Sequence, residues 1–244
     1  MDKTKTLIIL PAYNAAVTLK KTYLKIPEKF RDNILLVDDA SADDTVRLAK
    51  KLSIETVIHS KNLGYGANQK TCYQEAIKRR AEIVIMLHPD YQYPPEMIIP
   101  MIEMIKTGKY DCILGSRILS GEALRGGMPL YKYISNRFLT AVENIFTGAK
   151  LSEYHTGLRA YKVAVLKDIN FLQNSNDFIF DNQILLQILA KGYRIGEISS
   201  PCRYFAEASS INFTQSLLYG FKCLYWGFIY LLGRVKIYNH KLFY

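Results

Sequence analysis

The chain has 244 residues, of which 49% are hydrophobic and 22% are charged, so it can form a sizeable hydrophobic core. No linker-like stretch and no internal repeat divides it, which argues against a solenoid and predicts one domain followed by a C-terminal appendage. The formal net charge of +10 favours phosphorylated or lipid partners, but the basic residues are scattered and carry no zinc-finger or RNA-binding signature, so we expect no nucleic-acid partner.

Short apolar runs alternate with helical patterns in the first half of the chain. The predicted strands are Leu7–Leu10, Ile34–Val37, Thr56–Ile58, Ile83–Leu87 and Cys112–Leu114. The predicted helices between the first four strands are Ala15–Ile26, Asp43–Leu52 and Ala67–Arg80. This alternation indicates a Rossmann-like α/β fold, with a mostly parallel sheet flanked by helices. In such sheets ligands bind beyond the carboxyl ends of the strands.

Polar residues and glycines follow the second and third predicted strands. Asp38 and Asp39 end the second strand, and their oxygens can accept hydrogen bonds from a nucleobase or a ribose. The alternative is a structural role, in which carboxylates of this loop cap the next helix. The third strand leads into a loop with Gly64 and Gly66, which tolerate unusual backbone angles before a helix whose N-terminus could face a phosphate.

The fourth predicted strand leads into His88, Asp90 and Gln92. Asp90 and Gln92 offer hard oxygen ligands that suit Mg²⁺ or Mn²⁺ bridging a diphosphate. His88 could be a further ligand, although a single histidine at a strand end is more often a structural residue that makes hydrogen bonds.

Several familiar signatures are absent from the sequence. It has neither the GxGxxG dinucleotide fingerprint nor the Walker loop, which argues against a dehydrogenase or a P-loop NTPase. Its four cysteines form no CxxC pair, which is typical of isolated buried thiols in a reducing compartment. The apolar run Leu7–Leu10 is too short for a signal-peptide core, so we expect a cytoplasmic protein.

Six motifs resemble, in order, those of family 2 glycosyltransferases. They are Pro11-Ala12-Tyr13-Asn14, Val37-Asp38-Asp39-Ala40-Ser41-Ala42-Asp43-Asp44-Thr45, the Gly64/Gly66 loop, His88-Pro89-Asp90-Tyr91-Gln92-Tyr93-Pro94-Pro95, Gly115-Ser116-Arg117 and Thr156-Gly157-Leu158-Arg159-Ala160-Tyr161. Within that family the chain is most similar to polyprenyl-phosphate mannosyl- and glucosyltransferases. The later string Arg203-Tyr204-Phe205-Ala206-Glu207-Ala208-Ser209-Ser210-Ile211 strengthens this resemblance.

The resemblance implies a GT-A fold, an inverting transfer, a UDP- or GDP-sugar donor and a Mg²⁺ or Mn²⁺ cofactor. It implies that Asp90 and Gln92 hold the metal and that Arg117 faces phosphate groups, where a guanidinium fork is geometrically apt. The residues that it implies for binding the nucleotide sugar are Pro11, Tyr13, Asn14, Asp38, Asp39, Gly64, Asp90, Gln92 and Arg203.

The chain departs from the family pattern at two positions. Ala15 stands where the family usually has a glutamate, and His88 stands at the first aspartate of an Asp-x-Asp motif. Each change removes a carboxylate from the donor site, which could alter nucleotide or metal preference or indicate a degenerate enzyme. Because Asp90 and Gln92 are retained, we expect an active one.

Asp181 is the third candidate catalytic residue, beside Asp90 and Arg117. It precedes the helical pattern Ile184–Ala190, so it is either an N-terminal cap or a group that contacts the acceptor as a base. A sugar hydroxyl needs such a base, whereas an ionised lipid phosphate can attack without one. The sequence leaves both roles open.

Residues 211–244 form a hydrophobic, aromatic tail after a catalytic domain at 1–210. Between Leu217 and Gly233 the only charged residue is Lys222, and the tyrosine, tryptophan and phenylalanine residues of this run are types that settle at a bilayer interface. The run is shorter than the about 20 apolar residues that usually span a bilayer. We therefore expect an amphipathic helix at the membrane surface, with a buried core or dimer helix as the alternative.

The sequence thus predicts a hexosyltransferase at the cytoplasmic face of a membrane. We expect a GDP-mannose- or UDP-glucose-type donor and a polyprenyl phosphate acceptor. One alternative is transfer to a sugar hydroxyl in capsule, lipopolysaccharide or glycoprotein glycan assembly. Another is a non-catalytic nucleotide-sugar-binding protein. Whether the chain forms a homo-oligomer is left open.

Overall fold

The computed structural model describes residues 5–204 and 213–243, so most of the string from Arg203 to Ile211 lies outside the described residues. The strands are β1 (Thr6–Ala12), β2 (Ile34–Asp38), β3 (Glu55–Ile58), β4 (Ile83–Met86), β5 (Cys112–Ser116), β6 (Arg159–Lys162) and β7 (Ile195–Ser199). The helices are α1 (Ala16–Lys25), α2 (Thr45–Lys51), α3 (Tyr65–Lys78), α4 (Ile98–Lys106), α5 (Leu130–Thr147), α6 (Val163–Asp168), α7 (Phe180–Ala190) and α8 (Phe213–Arg234).

The strands form one seven-stranded sheet in the order β3-β2-β1-β4-β6-β5-β7. Every neighbouring pair is parallel except those of β6, which runs antiparallel to both β4 and β5. The five predicted strands and three predicted helices are all present, within a few residues of their predicted ends. The expected mostly parallel α/β sheet is confirmed.

β1 shows why the predicted strands read as continuous apolar runs. Leu7 and Ile9 pack on one face of the sheet, in a cluster shared with α3, α6 and α7. Ile8 and Leu10 pack on the other face, in a cluster shared with α1, α2 and α4. A strand that is buried on both faces has no polar positions to alternate with. Each fully buried aliphatic side chain of this kind stabilises the fold by about 1.5–3 kcal/mol.

β6 was not predicted, because its apolar run is broken by a buried arginine. Arg159 is completely inaccessible to solvent. Its guanidinium donates to the backbone carbonyls of Thr156, Tyr154 and Asp181 at 2.8, 2.9 and 2.7 Å. These bonds compensate for the burial of the charge. They also tie β6 to the first turn of α7, which carries Asp181.

The C-terminal helix α8 packs on the domain along one side and is exposed along the other. It contacts α5 and α7, and Cys223 is fully buried beside Leu139 and Ile179. The exposed large apolar residues of α8 are Leu217, Leu218, Phe221, Tyr225 and Phe228. Among the described residues, no helix is both long enough and apolar enough to cross a bilayer.

The cysteines are isolated buried thiols, as their spacing predicts. Cys72, Cys112, Cys202 and Cys223 are all free and buried. Burial raises the pKa of the Cys112 thiol to about 12 and that of the Cys202 thiol to about 11. These two thiols are therefore protonated at neutral pH and poorly nucleophilic.

Candidate active site

A cavity of about 760 Å³ opens at the carboxyl ends of β1, β2 and β4. The ends of these strands form one part of its lining, and the N-terminal halves of α5 and α8 form another. The predicted site residues that line the cavity are Pro11, Tyr13, Asp39, Gly64, Asp90, Gln92, Arg117 and Asp181. Three others, Asn14, Asp38 and Arg203, do not line it.

The two adjacent carboxylates at the end of β2 have different positions. Asp38 accepts hydrogen bonds from the backbone N and the Oγ of Ser41, at 2.9 and 2.5 Å, and so holds its own loop. Asp39 lines the cavity and accepts from the backbone amides of Leu63 and Gly64, at 2.9 and 3.0 Å. Its Oδ1 also lies 2.7 Å from His59 Nδ1. Asp38 therefore has a structural role in its own loop, although it does not cap α2, whereas Asp39 lies at the cavity.

Gly64 is required by the geometry of the loop before α3. Its φ is +99°, and an added Cβ would lie 2.7 Å from the carbonyl oxygen of Asn176. A larger residue would therefore be both strained and in collision with that carbonyl. Gly66 was expected to adopt an unusual backbone angle, but it lies inside α3 and its φ is not positive. A glycine is needed there for space, because an added Cβ would lie 2.5 Å from Ser175 O. The backbone amide of Gly64 donates to the Asp39 carboxylate, so the N-terminus of α3 already has an acidic partner from the protein.

Asp90 and Gln92 lie in the loop that follows the carboxyl end of β4. Both are largely buried and line the cavity. The backbone N of Gln92 donates to Asp90 Oδ1 at 3.0 Å, around Tyr91, whose φ is +58°. Burial raises the pKa of the Asp90 carboxyl, and an electrostatic interaction with His88 opposes this effect.

These oxygen donors fit a divalent cation shared with a substrate. The described residues contain no group of three histidine, cysteine, aspartate or glutamate side chains that could enclose a metal ion by themselves. Mg²⁺ sites of phosphate-transfer enzymes are commonly built from one or two carboxylates plus substrate phosphates and water. Asp90 and Gln92 could hold such an ion once a diphosphate supplies further oxygens.

Arg117 is held in a buried ion pair. Its Nε donates to Glu153 Oε1 at 2.8 Å, its Nη1 to the Tyr204 hydroxyl at 2.6 Å and its Nη2 to the carbonyl of His155 at 2.6 Å. Its backbone N donates to Glu153 Oε2 at 2.8 Å. Although burial alone would raise the pKa of Glu153, the charge of Arg117 holds it below the ordinary value. Arg117 lines the cavity, but most of its donors already have protein partners.

Asp181 faces the cavity and does not cap α7. No side-chain cap bond is made at the start of this helix. The hydroxyl of Tyr65 donates to Asp181 Oδ2 at 2.6 Å, while the buried Oδ1 has no hydrogen-bond partner in the described structure. Of the two roles left open by the sequence, the geometry favours contact with a ligand.

Sequence reasoning missed the wall that α5 and α8 contribute. Lys132 of α5 and Tyr219 of α8 line the cavity together with His155. Burial and the positive charge of Arg117 lower the pKa of Lys132, so two cationic side chains lie close together here. The tail pattern predicts α8 as a helix, whereas α5 was not predicted, and the position of both over the sheet depends on tertiary packing.

A buried polar network ties this wall together. His155 Nδ1 lies 2.9 Å from the Tyr219 hydroxyl, and its Nε2 lies 3.2 Å from the carboxylate of Glu143 on α5. Asn182 of α7 donates to the same carboxylate. The loop that carries His155 is thereby linked to α5, α7 and α8.

The chain is similar to glycosyltransferases in sequence and in fold. The Glycosyl transferase family 2 model matches residues 7–170. The chain is 25% identical over 245 residues to the UDP-N-acetylglucosamine–dolichyl-phosphate N-acetylglucosaminyltransferase of Methanococcus voltae, covering 93% of this chain and 96% of that protein. It is 23% identical over 202 residues to the polyprenol monophosphomannose synthase of Mycolicibacterium smegmatis, covering 80% and 76%.

A solved structure confirms the fold at lower sequence identity. Glucosyl-3-phosphoglycerate synthase from Mycobacterium tuberculosis, in complex with UDP, superposes with a TM-score of 0.72 at 15% identity. The match covers 97% of this chain and 82% of that one. The family match spans more than half of the chain, includes β1 to β6 and contains the residues that build the sheet side of the cavity. The expectation of an enzyme is therefore confirmed over the alternative of a non-catalytic binding protein: the chain belongs to glycosyl transferase family 2 and is a glycosyltransferase with a GT-A fold.

Proposed function

We propose that this enzyme transfers a hexose from a nucleoside diphosphate sugar to a polyprenyl phosphate, with inversion at the anomeric carbon. One observation carries the proposal: a single cavity joins the strand ends that fit a donor to two cationic side chains, Arg117 and Lys132, and to α5 and α8, which expose apolar faces. We call Arg117 and Lys132 the cationic wall. Relatives named for dolichyl-phosphate and polyprenol-phosphate transfer support the same acceptor class.

The apolar faces begin at the cavity. α5 exposes Leu130, Ile134 and Phe138, and α8 exposes Leu218 and Phe221, all from the turns whose other sides line the cavity. The two helices run side by side in the same direction, since Gly220 meets Leu139 and Gly227 meets Phe146. A phosphate held at the cavity could therefore continue into a lipid chain along exposed apolar side chains. We call these exposed residues of α5 and α8 the apolar face.

The donor half of the proposed mechanism uses the strand ends. Pro11, Tyr13 and Asp39 would contact the nucleoside, and Asp90 with Gln92 would hold Mg²⁺ or Mn²⁺ against the diphosphate. The structures of the Mycobacterium tuberculosis synthase that contain Mn²⁺ and UDP support a divalent ion in this fold. When bound, the ion neutralises charge on the departing nucleoside diphosphate.

The acceptor half uses the cationic wall. Lys132 would orient the acceptor phosphate, and Arg117 would add positive charge while remaining paired with Glu153. A phosphate oxygen then forms the bond to the anomeric carbon as the bond from that carbon to the diphosphate oxygen breaks. The acceptor phosphate is already ionised, so this step needs no base. The nucleoside diphosphate leaves with the bonding electron pair.

Transfer to a sugar hydroxyl is the second candidate, and one observation favours it. Asp181 Oδ1 is buried at the cavity without a hydrogen-bond partner in the described structure. An unpaired carboxylate oxygen is costly to bury, and a substrate hydroxyl could satisfy it. In this mechanism Asp181 would remove the proton of the attacking hydroxyl.

The linkage formed separates the two candidates. We expect the purified protein, given UDP- and GDP-sugars with Mn²⁺ and a polyprenyl phosphate in detergent, to produce a lipid with a glycosyl phosphate that mild acid cleaves. Mass spectrometry before and after acid treatment would identify it. Glycosylation of sugar acceptors with no lipid product would contradict the polyprenyl phosphate assignment and support the second candidate.

We further propose that the apolar face rests on the cytoplasmic surface of a membrane. Its aromatic and aliphatic side chains suit the interface. The exposed Arg234 ends α8, and the exposed Lys236 and Lys241 follow it, where these basic residues could meet anionic headgroups. A polyprenyl phosphate stays in the bilayer, so the enzyme must approach that surface to reach it.

Replacing Phe221 by aspartate should weaken binding to vesicles of anionic lipid. Phe221 is 63% exposed, so the change should leave the fold intact. Removing one phenylalanine from the membrane costs about 1.5–3 kcal/mol, which corresponds to roughly a 10-fold to 100-fold loss in the partition coefficient. Vesicle co-sedimentation would measure this. Leu24→Asp is the matched control, since Leu24 is 52% exposed on α1. Equal effects of the two variants would contradict a specific membrane-binding face.

A further inference from the structure

His88 stands where the family resemblance predicts an aspartate, and its ring is firmly held. It lines the cavity beside Asp90. Its ring stacks on that of Tyr65, with centroids 5.5 Å apart and planes 12° apart. A Cβ added to Gly157 would lie 2.8 Å from His88 Cδ2. The ring therefore packs against both the Tyr65 ring and the backbone of Gly157.

The hydrogen bonds of Tyr65 determine which ring nitrogen of His88 carries a proton. Tyr65 has one hydroxyl proton, which it donates to Asp181 Oδ2 at 2.6 Å. The tyrosine oxygen can then only accept a hydrogen bond from His88 Nε2, which lies 3.1 Å away.

A neutral His88 ring must therefore keep its lone pair on Nδ1. Histidines that bind metals in proteins almost always donate from the other ring nitrogen, which fixes both tautomer and orientation. Here the chain from His88 Nε2 to Tyr65 to Asp181 supplies that support. Nδ1 keeps its lone pair, two residues before Asp90.

Resting on the proposed metal-dependent transfer, we propose that His88 Nδ1 is a third protein ligand to the divalent ion, beside Asp90 and Gln92. Replacing a carboxylate by an imidazole removes one negative charge and turns an all-oxygen set into a mixed nitrogen and oxygen set. Mg²⁺ strongly prefers oxygen ligands, whereas imidazole binds first-row transition ions well. The site should therefore select Mn²⁺, Co²⁺ or Ni²⁺ over Mg²⁺.

Pulsed electron paramagnetic resonance of bound Mn²⁺ tests this without any turnover. Untagged protein would be loaded with Mn²⁺ in the presence of UDP or, separately, GDP. A ¹⁴N modulation from a coordinated imidazole is expected, and labelling of histidine with ¹⁵N should convert it to the ¹⁵N pattern. This conversion excludes nitrogen of the nucleobase as the source.

Two variants make the assignment to His88 specific. His88→Asp restores an oxygen ligand, so it should retain Mn²⁺, lose the imidazole signal and lower the preference for Mn²⁺ over Mg²⁺ by about tenfold. His240→Asn is the matched control, because His240 packs against Trp226 and does not line the cavity. It should keep both the signal and the preference.

Each outcome decides a different point. Mn²⁺ bound with a nucleotide but without imidazole modulation would overturn the role of His88 and leave the proposed function standing. Failure of the wild type to bind Mn²⁺ with either nucleotide would overturn the metal site itself. If His88→Asp does not fold, Tyr65→Phe serves in its place: loss of the bond that orients the ring should weaken Mn²⁺ binding about 10-fold to 100-fold. Unchanged affinity in that variant would contradict the supporting chain.

Discussion

Replacement of Asp90 by asparagine should lower kcat by at least about 100-fold while the fold stays intact. The asparagine oxygen can still accept the hydrogen bond from the Gln92 amide, so the turn around Tyr91 is preserved. What is lost is the negative charge that would hold the cation against the diphosphate. Stabilisation of a leaving group by a metal ion is worth several kcal/mol, and each 1.4 kcal/mol is tenfold in rate.

Initial rates measured across a Mn²⁺ titration would distinguish a lost metal site from a lost fold. The matched control is Asp44→Asn, because Asp44 is exposed at the start of α2 and pairs with Arg47 at 2.6 Å. This exposed ion pair should contribute little to stability, so the activity of Asp44→Asn should resemble that of the wild type. If Asp90→Asn has wild-type kcat at all metal concentrations, the assignment of Asp90 to the metal is wrong.

The sheet could be predicted because its strands are buried on both faces. Leu7–Leu10 and Ile83–Leu87 contain no polar residue, and β1 continues beyond the first of these runs through Pro11 and Ala12. Their parallel order then places Asp39 and Asp90 at one edge, where the cavity is found. Local pattern and topology were sufficient for this half of the site.

The roles of single carboxylates could not be predicted from the same pattern. Asp38 and Asp39 are adjacent, but successive side chains at a strand end point in different directions, so one serves Ser41 and the other faces the cavity. Glu153 was missed altogether, although it lies only three residues before the Thr156 motif. Nothing local shows that it would meet Arg117, which is 36 residues away in the chain.

The two departures from the family pattern have different consequences in the structure. Ala15 does not line the cavity; its amide donates to Thr45 Oγ1 at 2.7 Å and joins the start of α1 to the first residue of α2. His88 does line the cavity and interacts electrostatically with Asp90. Of the two missing carboxylates, only the one at position 88 would lie at the cavity. We therefore expect this chain to differ from the family pattern in its metal preference.

Arg117→Met should destabilise the protein by about 3–5 kcal/mol, because it leaves the fully buried Glu153 carboxylate without its counter-charge. Urea unfolding would measure the loss. Arg47→Met is the control for an exposed arginine and should change the free energy of unfolding by less than about 1 kcal/mol. A variant with wild-type stability but no activity would instead make phosphate binding the main role of Arg117.

The double variant Arg117→Met/Glu153→Gln separates a buried pair from two independent side chains. If the charges stabilise the fold mainly by neutralising each other, removal of both should cost less than the sum of the two single changes, with a coupling of about 1–3 kcal/mol. Glu153→Gln alone would leave the guanidinium with its bonds to Tyr204 and the His155 carbonyl but without a counter-ion. Strict additivity would contradict the ion pair. A coupling energy in this range would show that Arg117 of the Gly115-Ser116-Arg117 motif is held in the cationic wall by its ion pair with Glu153. Any contact with phosphate would then be made from that fixed position.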